Sequence, residues 1–127
     1  MGAFPIRTLV WDEDQSVQLV KILQTKGVDL IDVSSGGLAS HQKITVGPSY
    51  QVPFSEKIKK ETGALTGAVG LITEAKQSEE ILQNGEADLI IMARELLRDP
   101  YFPLHAAHEL GEDITWPTQY DRAKPTL

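Results

Sequence analysis

An arginine directly after a short apolar run is suited to binding a phosphate group. The run 87–92 (ADLIIM) has the apolar character of a short buried strand, and Arg94 follows it by two residues. A helical pattern begins at the arginine and continues to Asp99. Because a helix N-terminus carries unpaired N–H groups and a positive dipole end, this pattern predicts an anion site where the strand ends.

Arg94 also has a simpler interpretation, as an ordinary helix-start residue that binds no ligand. Glu95 and Asp99 follow it in the same helical pattern, and either carboxylate could pair with the guanidinium. The two interpretations differ in whether the guanidinium is free to meet an anion, and the sequence alone leaves both open.

Other polar residues could do chemistry, although their patterns are less specific. His41 lies in a polar segment, where it is a candidate acid–base or ligand-binding group or simply a solvated histidine. Asp29 and Asp32 flank a predicted strand, and such a pair of carboxylates could serve in acid–base catalysis. His105 and His108 have a spacing that would suit two metal ligands on a helix, but no third ligand is evident. We therefore predict that both are surface histidines and that the chain has no metal site.

The elements that must position these residues alternate between helical and strand patterns. Acidic residues at 12–14 can cap the first helix, which ends at Gly27, and Thr73 can cap the third. The segment 38–51 is polar and contains Gly47-Pro48, so we predict a long loop there. The predicted strands are 28–33, 64–70 and 89–92, and the predicted helices are about 12–27, 53–62, 74–84 and 95–110, the last with a break near Pro100.

This alternation predicts an α/β fold in which a parallel sheet is covered by helices. The segment 64–70 is apolar and small, which is typical of a strand buried on both faces. We predict a single domain over 1–127, with an irregular N-terminus at 1–10 and an extended tail at 111–127. Since polar residues follow each strand, the chemistry should gather at the C-terminal edge of the sheet, where α/β proteins bind ligands.

Composition narrows the function classes. With 127 residues, 41% apolar and 24% charged, the chain resembles an ordinary globular domain. Its net charge of −6 argues against nucleic-acid binding, which requires a basic face. The absence of cysteine excludes disulfides, thiolate metal sites and thiol nucleophiles. The first residues carry neither a long apolar segment nor a myristoylation motif, so we predict a cytoplasmic protein with no membrane partner.

Four motifs occur in the order and spacing found in the C-terminal half of old yellow enzymes. They are GVDLIDVSSGG at 27–37, GAVGLIT at 67–73, ADLIIMARELLRDP at 87–100 and QYDRA at 119–123. The chain resembles the thermophilic-like group of these NADH:flavin oxidoreductases over nearly everything from Trp11 to Ala123.

The resemblance implies part of a (β/α)8 TIM barrel, about three βα units, in an enzyme that reduces activated alkenes with FMN and NADPH. It places the cofactor phosphate near Gly70, Ala93 and Arg94. Gly70 would allow the backbone to approach the phosphate closely, although the glycine could equally be required by packing against neighbouring residues. Alanine stands at 93 where the family usually has glycine, which keeps the N–H and adds a methyl group. Arg122 matches an arginine that can reach across a dimer interface in this group.

The expected barrel is longer than this chain, because such a barrel needs roughly 250 residues. The resemblance also implies flavin-ring contacts, a substrate-binding histidine pair and a proton-donating tyrosine, and none of these can be located here. Three functions therefore stay open. The chain is an FMN-dependent oxidoreductase fragment, a cofactor-independent half-barrel that acts as an isomerase or cyclase, or a catalytically silent assembly subunit.

The second function would place a pocket between the loop 38–51 and the tail at 116–122, with His41, Asp32 and Arg122 as weak catalytic candidates. All three functions share one physical constraint. A few strands of a closed barrel leave open sheet edges and an apolar inner face, which are sticky when exposed. We therefore predict a homodimer or higher homo-oligomer, with a small molecule as substrate.

Overall fold

A computed structural model describes residues 11–36 and 40–126 of the chain. It has an α/β architecture in which one helix is followed by three strand–helix units, as the sequence predicted. The predicted irregular segment 1–10 lies outside the described residues. The elements are α1 (Glu13–Gln24), β1 (Leu30–Val33), α2 (Val52–Thr62), β2 (Leu65–Val69), α3 (Ala75–Gln83), β3 (Leu89–Ile91), α4 (Arg94–Arg98), α5 (Phe102–Glu109) and a 3-10 helix (Thr118–Ala123).

The three strands form one parallel sheet in the order β1-β2-β3. Leu30 of β1 lies opposite Leu65 of β2, and Gly67 of β2 lies opposite Leu89 of β3. The predicted parallel sheet is therefore confirmed. A small parallel sheet with a helix after each strand is consistent with part of a (β/α)8 barrel, and it brings the loops that follow β2 and β3 to the same edge.

Local capping explains where the first helix begins. The Asp12 carboxylate accepts a hydrogen bond from the Gln15 N–H at 2.9 Å, and the Gln15 side chain accepts one from the Asp12 N–H at 3.0 Å. This capping box confirms the predicted acidic cap. The prediction that Thr73 caps α3 is wrong. Glu74 is the N-cap, and the Thr73 N–H instead donates to the Gln77 side chain at 3.0 Å, so the helix begins further along.

In the part of the chain that the structure describes, helices cover one face of the sheet. The buried apolar residues on this face form two clusters, which are Val17, Val20, Val33, Ile58 and Ala64, and Val52, Ala68, Ile72, Ile81 and Ala87. On the opposite face Leu30, Leu65 and Leu89 are 39%, 51% and 49% exposed. The prediction that 64–70 is buried on both faces is therefore wrong for Leu65, because no described element packs against its side of the sheet.

The remaining segments connect and end the chain. Residues 40–51 contain no helix or strand, as expected for the predicted loop, and 37–39 lie outside the described residues. The predicted break near Pro100 separates α4 from α5. The tail contains one short 3-10 helix, at Thr118–Ala123, which the lack of periodicity did not predict. None of the helices in the described ranges combines the length and the apolar character that crossing a membrane requires.

Candidate functional site

A cleft of about 140 Å³ lies at the C-terminal edge of the sheet. Its walls are the loop after β2 and the junction between β3 and α4. Three residues expected to hold a phosphate, Gly70, Ala93 and Arg94, all line this cleft. The other lining residues are Val69, Leu71, Ile72, Thr73, Ile91, Met92, Glu95 and Arg98.

The two arginines of the cleft differ in their partners. Arg98 is paired with Glu95, with its Nη2 2.7 Å and its Nε 2.9 Å from Glu95 Oε2. Asp99 instead accepts a hydrogen bond from the Tyr101 N–H, and its Oδ2 lies 2.8 Å from His105 Nδ1. Neither carboxylate pairs with Arg94, whose exposed guanidinium makes no hydrogen bond or ion pair with any described residue. The simpler interpretation, an arginine neutralised by Glu95 or Asp99, does not describe this site.

Backbone N–H groups at the start of α4 are available beside this guanidinium. Ala93 is the N-cap, and a helix N-cap alanine has no side-chain oxygen to accept from the first turn. Leu97 N–H bonds to the Ala93 carbonyl at 3.3 Å, which is the first bond of the helix ladder. The N–H groups of residues 94–96, which precede this bond, therefore have no acceptor within α4.

Gly70 is a glycine for reasons of packing as well as position. Its φ is +114°, a region that L side chains rarely adopt. A Cβ built at Gly70 would lie 2.5 Å from Gln51 Nε2 and 2.9 Å from a ring carbon of Tyr50. The missing side chain therefore makes room for Gln51 and Tyr50. The packing interpretation that the sequence left open accounts for the glycine, while its backbone still lines the cleft.

The family model of the NADH:flavin oxidoreductase / NADH oxidase family matches residues 4–113 of this chain. The chain belongs to this family. The resemblance drawn from the four sequence motifs is therefore confirmed.

Curated relatives in the family are close in sequence but much longer. The NADPH dehydrogenase of Geobacillus thermodenitrificans is 56% identical over 106 residues, which is 84% of this chain and 31% of that protein. Those of Bacillus licheniformis and Bacillus subtilis are 51% and 53% identical, over 97% and 84% of this chain and 36% and 31% of their own lengths. The chain therefore spans about a third of the length of the relatives it matches.

The weaker catalytic candidates lie in three different elements of this flavin oxidoreductase domain. Asp32 is exposed on β1, opposite Gly67 in the sheet register. His41 is exposed and lines a second, open cavity of about 630 Å³, whose walls include Ser34 and Ser35. Arg122 is exposed in the terminal 3-10 helix. None of these three candidates lines the cleft that contains Arg94.

The histidine and aspartate pairs show no metal-binding arrangement. His105 and His108 are both exposed, and His105 bonds to Asp99. Asp29 precedes β1 and Asp32 lies within it. Among residues 11–36 and 40–126 no group of three His, Asp or Glu residues is placed to hold a metal ion.

Two functional candidates were missed from the sequence. Gln51 donates to the Val69 carbonyl, 18 residues away, and Gln77 donates both to the nearby Leu71 carbonyl and to Ser49, 28 residues away. Neither lies in a motif, and glutamine is an ordinary surface residue in helical segments. Only their partners, which are distant along the chain, distinguish them.

Proposed function

We propose that this chain is the part of an old yellow enzyme-like NADPH dehydrogenase that binds the FMN phosphate. Family membership and the names of the relatives support the class of enzyme. The observation that carries the proposal is the Arg94 guanidinium, which lines a cleft at the end of β3 and pairs with no residue in 11–36 or 40–126. A cation and free backbone amides meet there, which is the combination that binds phosphate in many folds.

The charges around the cleft fit a phosphate dianion. Glu95 lines the cleft, and its carboxylate would repel phosphate if it were free. Its pairing with Arg98 at 2.7 Å offsets that charge and leaves Arg94 as the uncompensated charge of the group. In this proposal the Ala93 methyl group narrows the cleft slightly, and the Ala93 N–H stays in place. In this proposal Arg94 and the first amides of α4 hold the phosphate oxygens, and the Gly70 backbone forms the opposite wall.

FMN, when bound, would accept a hydride from NADPH and pass it to an activated alkene, the substrate class that the resemblance implies. The residues of this chain bind and orient the phosphate end of the cofactor. We include a cytoplasmic location in the proposal because NADPH is abundant there, and cell fractionation checks it directly.

Titration with FMN, followed by flavin fluorescence and ³¹P NMR, tests the proposed site. Arg94→Ala removes the free cation and should weaken FMN binding by about 10- to 100-fold, as expected for the loss of a charge-assisted contact. Arg98→Ala is the matched control, since this second cleft arginine is already paired with Glu95, and it should have a smaller effect. Riboflavin, which lacks the phosphate, should bind both variants as it binds the unmodified chain.

Two results would overturn the proposal. One is a chain that takes up no FMN at millimolar concentration. The other is an Arg94→Ala variant that binds FMN as tightly as Arg98→Ala does. The first result would favour the two alternative functions, a cofactor-independent isomerase or cyclase and a catalytically silent subunit.

We further propose that a second copy of this chain covers the open face of the sheet in a homo-oligomer that completes a barrel-like core. Leu30, Leu65 and Leu89 are exposed apolar residues, one on each strand, with Leu30 opposite Leu65 and Leu89 opposite Gly67, two residues further along β2. Burying these side chains stabilises association by about 25 cal/mol for each Å² removed from water. The opposite, helix-covered face is already packed, so it is the open face that needs a partner.

Light scattering coupled to size-exclusion chromatography tests this assembly. The unmodified chain should run as a dimer or larger at micromolar concentration, and Leu65→Lys should shift it toward the monomer. Leu97→Lys is the matched control, because Leu97 is 82% exposed and lies on α4 and not on a strand of the sheet. A folded, monodisperse monomer of the unmodified chain would refute the proposal.

A further inference from the structure

The loop between β2 and α3 forms one wall of the cleft in an unusual backbone conformation. Gly70 has a φ of +114° and Leu71 a φ of +50°, and Leu71 is a branched residue for which positive φ is uncommon. Such a conformation persists only where surrounding contacts hold it. The contacts that hold this wall therefore decide the shape of the cleft.

Gln77, in the first turn of α3, reaches back and holds the helix side of the loop. Its Oε1 accepts the Thr73 N–H at 3.0 Å. Its Nε2 donates to the Leu71 carbonyl at 2.9 Å and to Ser49 Oγ at 2.8 Å. The Gln77 amide thus accepts one hydrogen bond from the loop, donates one to it, and donates another to Ser49 outside the loop. Gln77 itself does not line the cleft.

Gln51 holds the strand side of the same loop. It is 4% exposed, and its Nε2 donates to the Val69 carbonyl at 2.9 Å. Its Oε1 accepts from the Ser35 N–H and, at 3.1 Å, from the Ser35 hydroxyl. The absent side chain of Gly70 leaves the space that Gln51 occupies. The loop is therefore fixed on both sides of its positive-φ residues by two amide side chains.

We propose that Gln77 is a positioning residue for the phosphate, acting with Gln51 to preset the 70–73 wall opposite Arg94. This inference rests on the proposed function of the cleft. A wall that is already ordered does not have to be ordered when the ligand binds, so the affinity for phosphate is higher. Without Gln77 the Leu71 carbonyl and the Thr73 N–H lose their partner, and the positive φ of Leu71 loses its support.

Gln77→Met tests the inference with little change of size or helix propensity. Gln83→Met is the matched control, because Gln83 lies on the same helix and its side chain donates to Glu79 at 2.7 Å and to no other described residue. Far-UV circular dichroism establishes that α3 is retained. Ser49→Ala, which removes only one of the three Gln77 contacts, is a milder second variant.

We expect Gln77→Met to weaken FMN binding about tenfold and to leave riboflavin binding unchanged, because only FMN carries the phosphate. Amide exchange at Thr73 should become faster in the same variant. Ser49→Ala should give a smaller loss of FMN affinity, and Gln83→Met none. A general loss of structure would instead change FMN and riboflavin binding together.

The outcomes separate this inference from the proposed function. If the unmodified chain binds FMN and Arg94→Ala weakens binding while Gln77→Met does not, the site is correct and the role of Gln77 is wrong. An equal loss for FMN and riboflavin also overturns the inference. If the unmodified chain binds neither FMN nor inorganic phosphate, the proposed function fails, and the positioning role fails with it.

Discussion

Replacing Asp88 by asparagine should weaken the attachment of β3 to the rest of the sheet. Asp88 Oδ1 lies 2.6 Å from Lys59 Nζ of α2, and Oδ2 accepts the Thr66 N–H of β2 at 2.9 Å. The Asp88 N–H in turn donates to the Thr66 carbonyl at 2.8 Å. One carboxylate thus joins a helix and a neighbouring strand at the start of β3, whose other end leads to Arg94.

The size of the effect follows from these contacts. The Lys59 and Asp88 side chains are 29% and 26% exposed, so their ion pair is partly screened by water and contributes about 0.5–1 kcal/mol. Asparagine keeps an oxygen for the Thr66 N–H, so Asp88→Asn should cost about this amount. Asp88→Ala also leaves that N–H without a side-chain acceptor, and its total cost should be about 2 kcal/mol.

The same carboxylate makes stability depend on pH. The hydrogen bond from Lys59 has the largest effect and lowers the pKa of Asp88. Burial opposes it with the next largest effect, and the Thr66 N–H and the charge of Lys59 lower the pKa further. Since the folded-state pKa lies below the unfolded value of about 3.9, the contribution is present above about pH 4. It is lost as the pH falls through the folded-state pKa. Asp88→Asn cannot titrate, so its loss of stability relative to the unmodified chain should shrink in acid.

Urea unfolding followed by circular dichroism, at fixed protein concentration, measures these differences at pH 7 and near pH 3. Asp29→Asn is the matched control, because Asp29 is exposed and makes no ion pair with any described residue. The reasoning is refuted if Asp88→Asn and Asp29→Asn unfold at the same urea concentration at pH 7. It is also refuted if the difference between Asp88→Asn and the unmodified chain is the same at both pH values.

Two further substitutions test the cleft wall and the first helix. Gly70→Ala should cost about 2–3 kcal/mol in urea unfolding, because its Cβ would meet Gln51 at a φ unsuited to alanine. Gly63 has a φ of +69° and open space around it, so Gly63→Ala should lower the free energy of unfolding by only about 1 kcal/mol. If Gly70→Ala and Gly63→Ala lower it equally, the packing explanation for Gly70 is wrong. Asp12→Ala removes the α1 capping box and should cost about 1 kcal/mol, against no measurable change for the exposed Gln18→Ala.

The sequence predicted the order of elements well because the decisive signals are local. The apolar spacing of α1, the proline at the start of α2 and the glycine that ends it at residue 63 act within a few residues of one another. The prediction for Thr73 failed because α3 begins at Ala75, one residue later than predicted, so that Glu74 and not Thr73 is the N-cap. The sequence predicted too much burial for β2, because an apolar strand sequence does not show whether another element packs on each face of the sheet.

The candidate site was predicted only in part. The sequence identified Arg94 as a residue beside a helix start, but it could not decide whether the guanidinium was free. Glu95 and Asp99 follow Arg94 by one and five residues, and the structure pairs them with Arg98 and His105 instead, Arg98 by an i,i+3 contact within α4.

By itself the sequence determined the family, the parallel α/β pattern and the residues at the strand ends, because these depend on local periodicity and on motifs in a fixed order. Only the tertiary structure showed that Gln51 and Gln77 hold the cleft wall and that Arg94 pairs with none of the residues the structure describes. Gln51 meets Val69 across 18 residues, and Gln77 meets Ser49 across 28. Contacts of this range depend on how the helices pack on the sheet, which no short segment encodes.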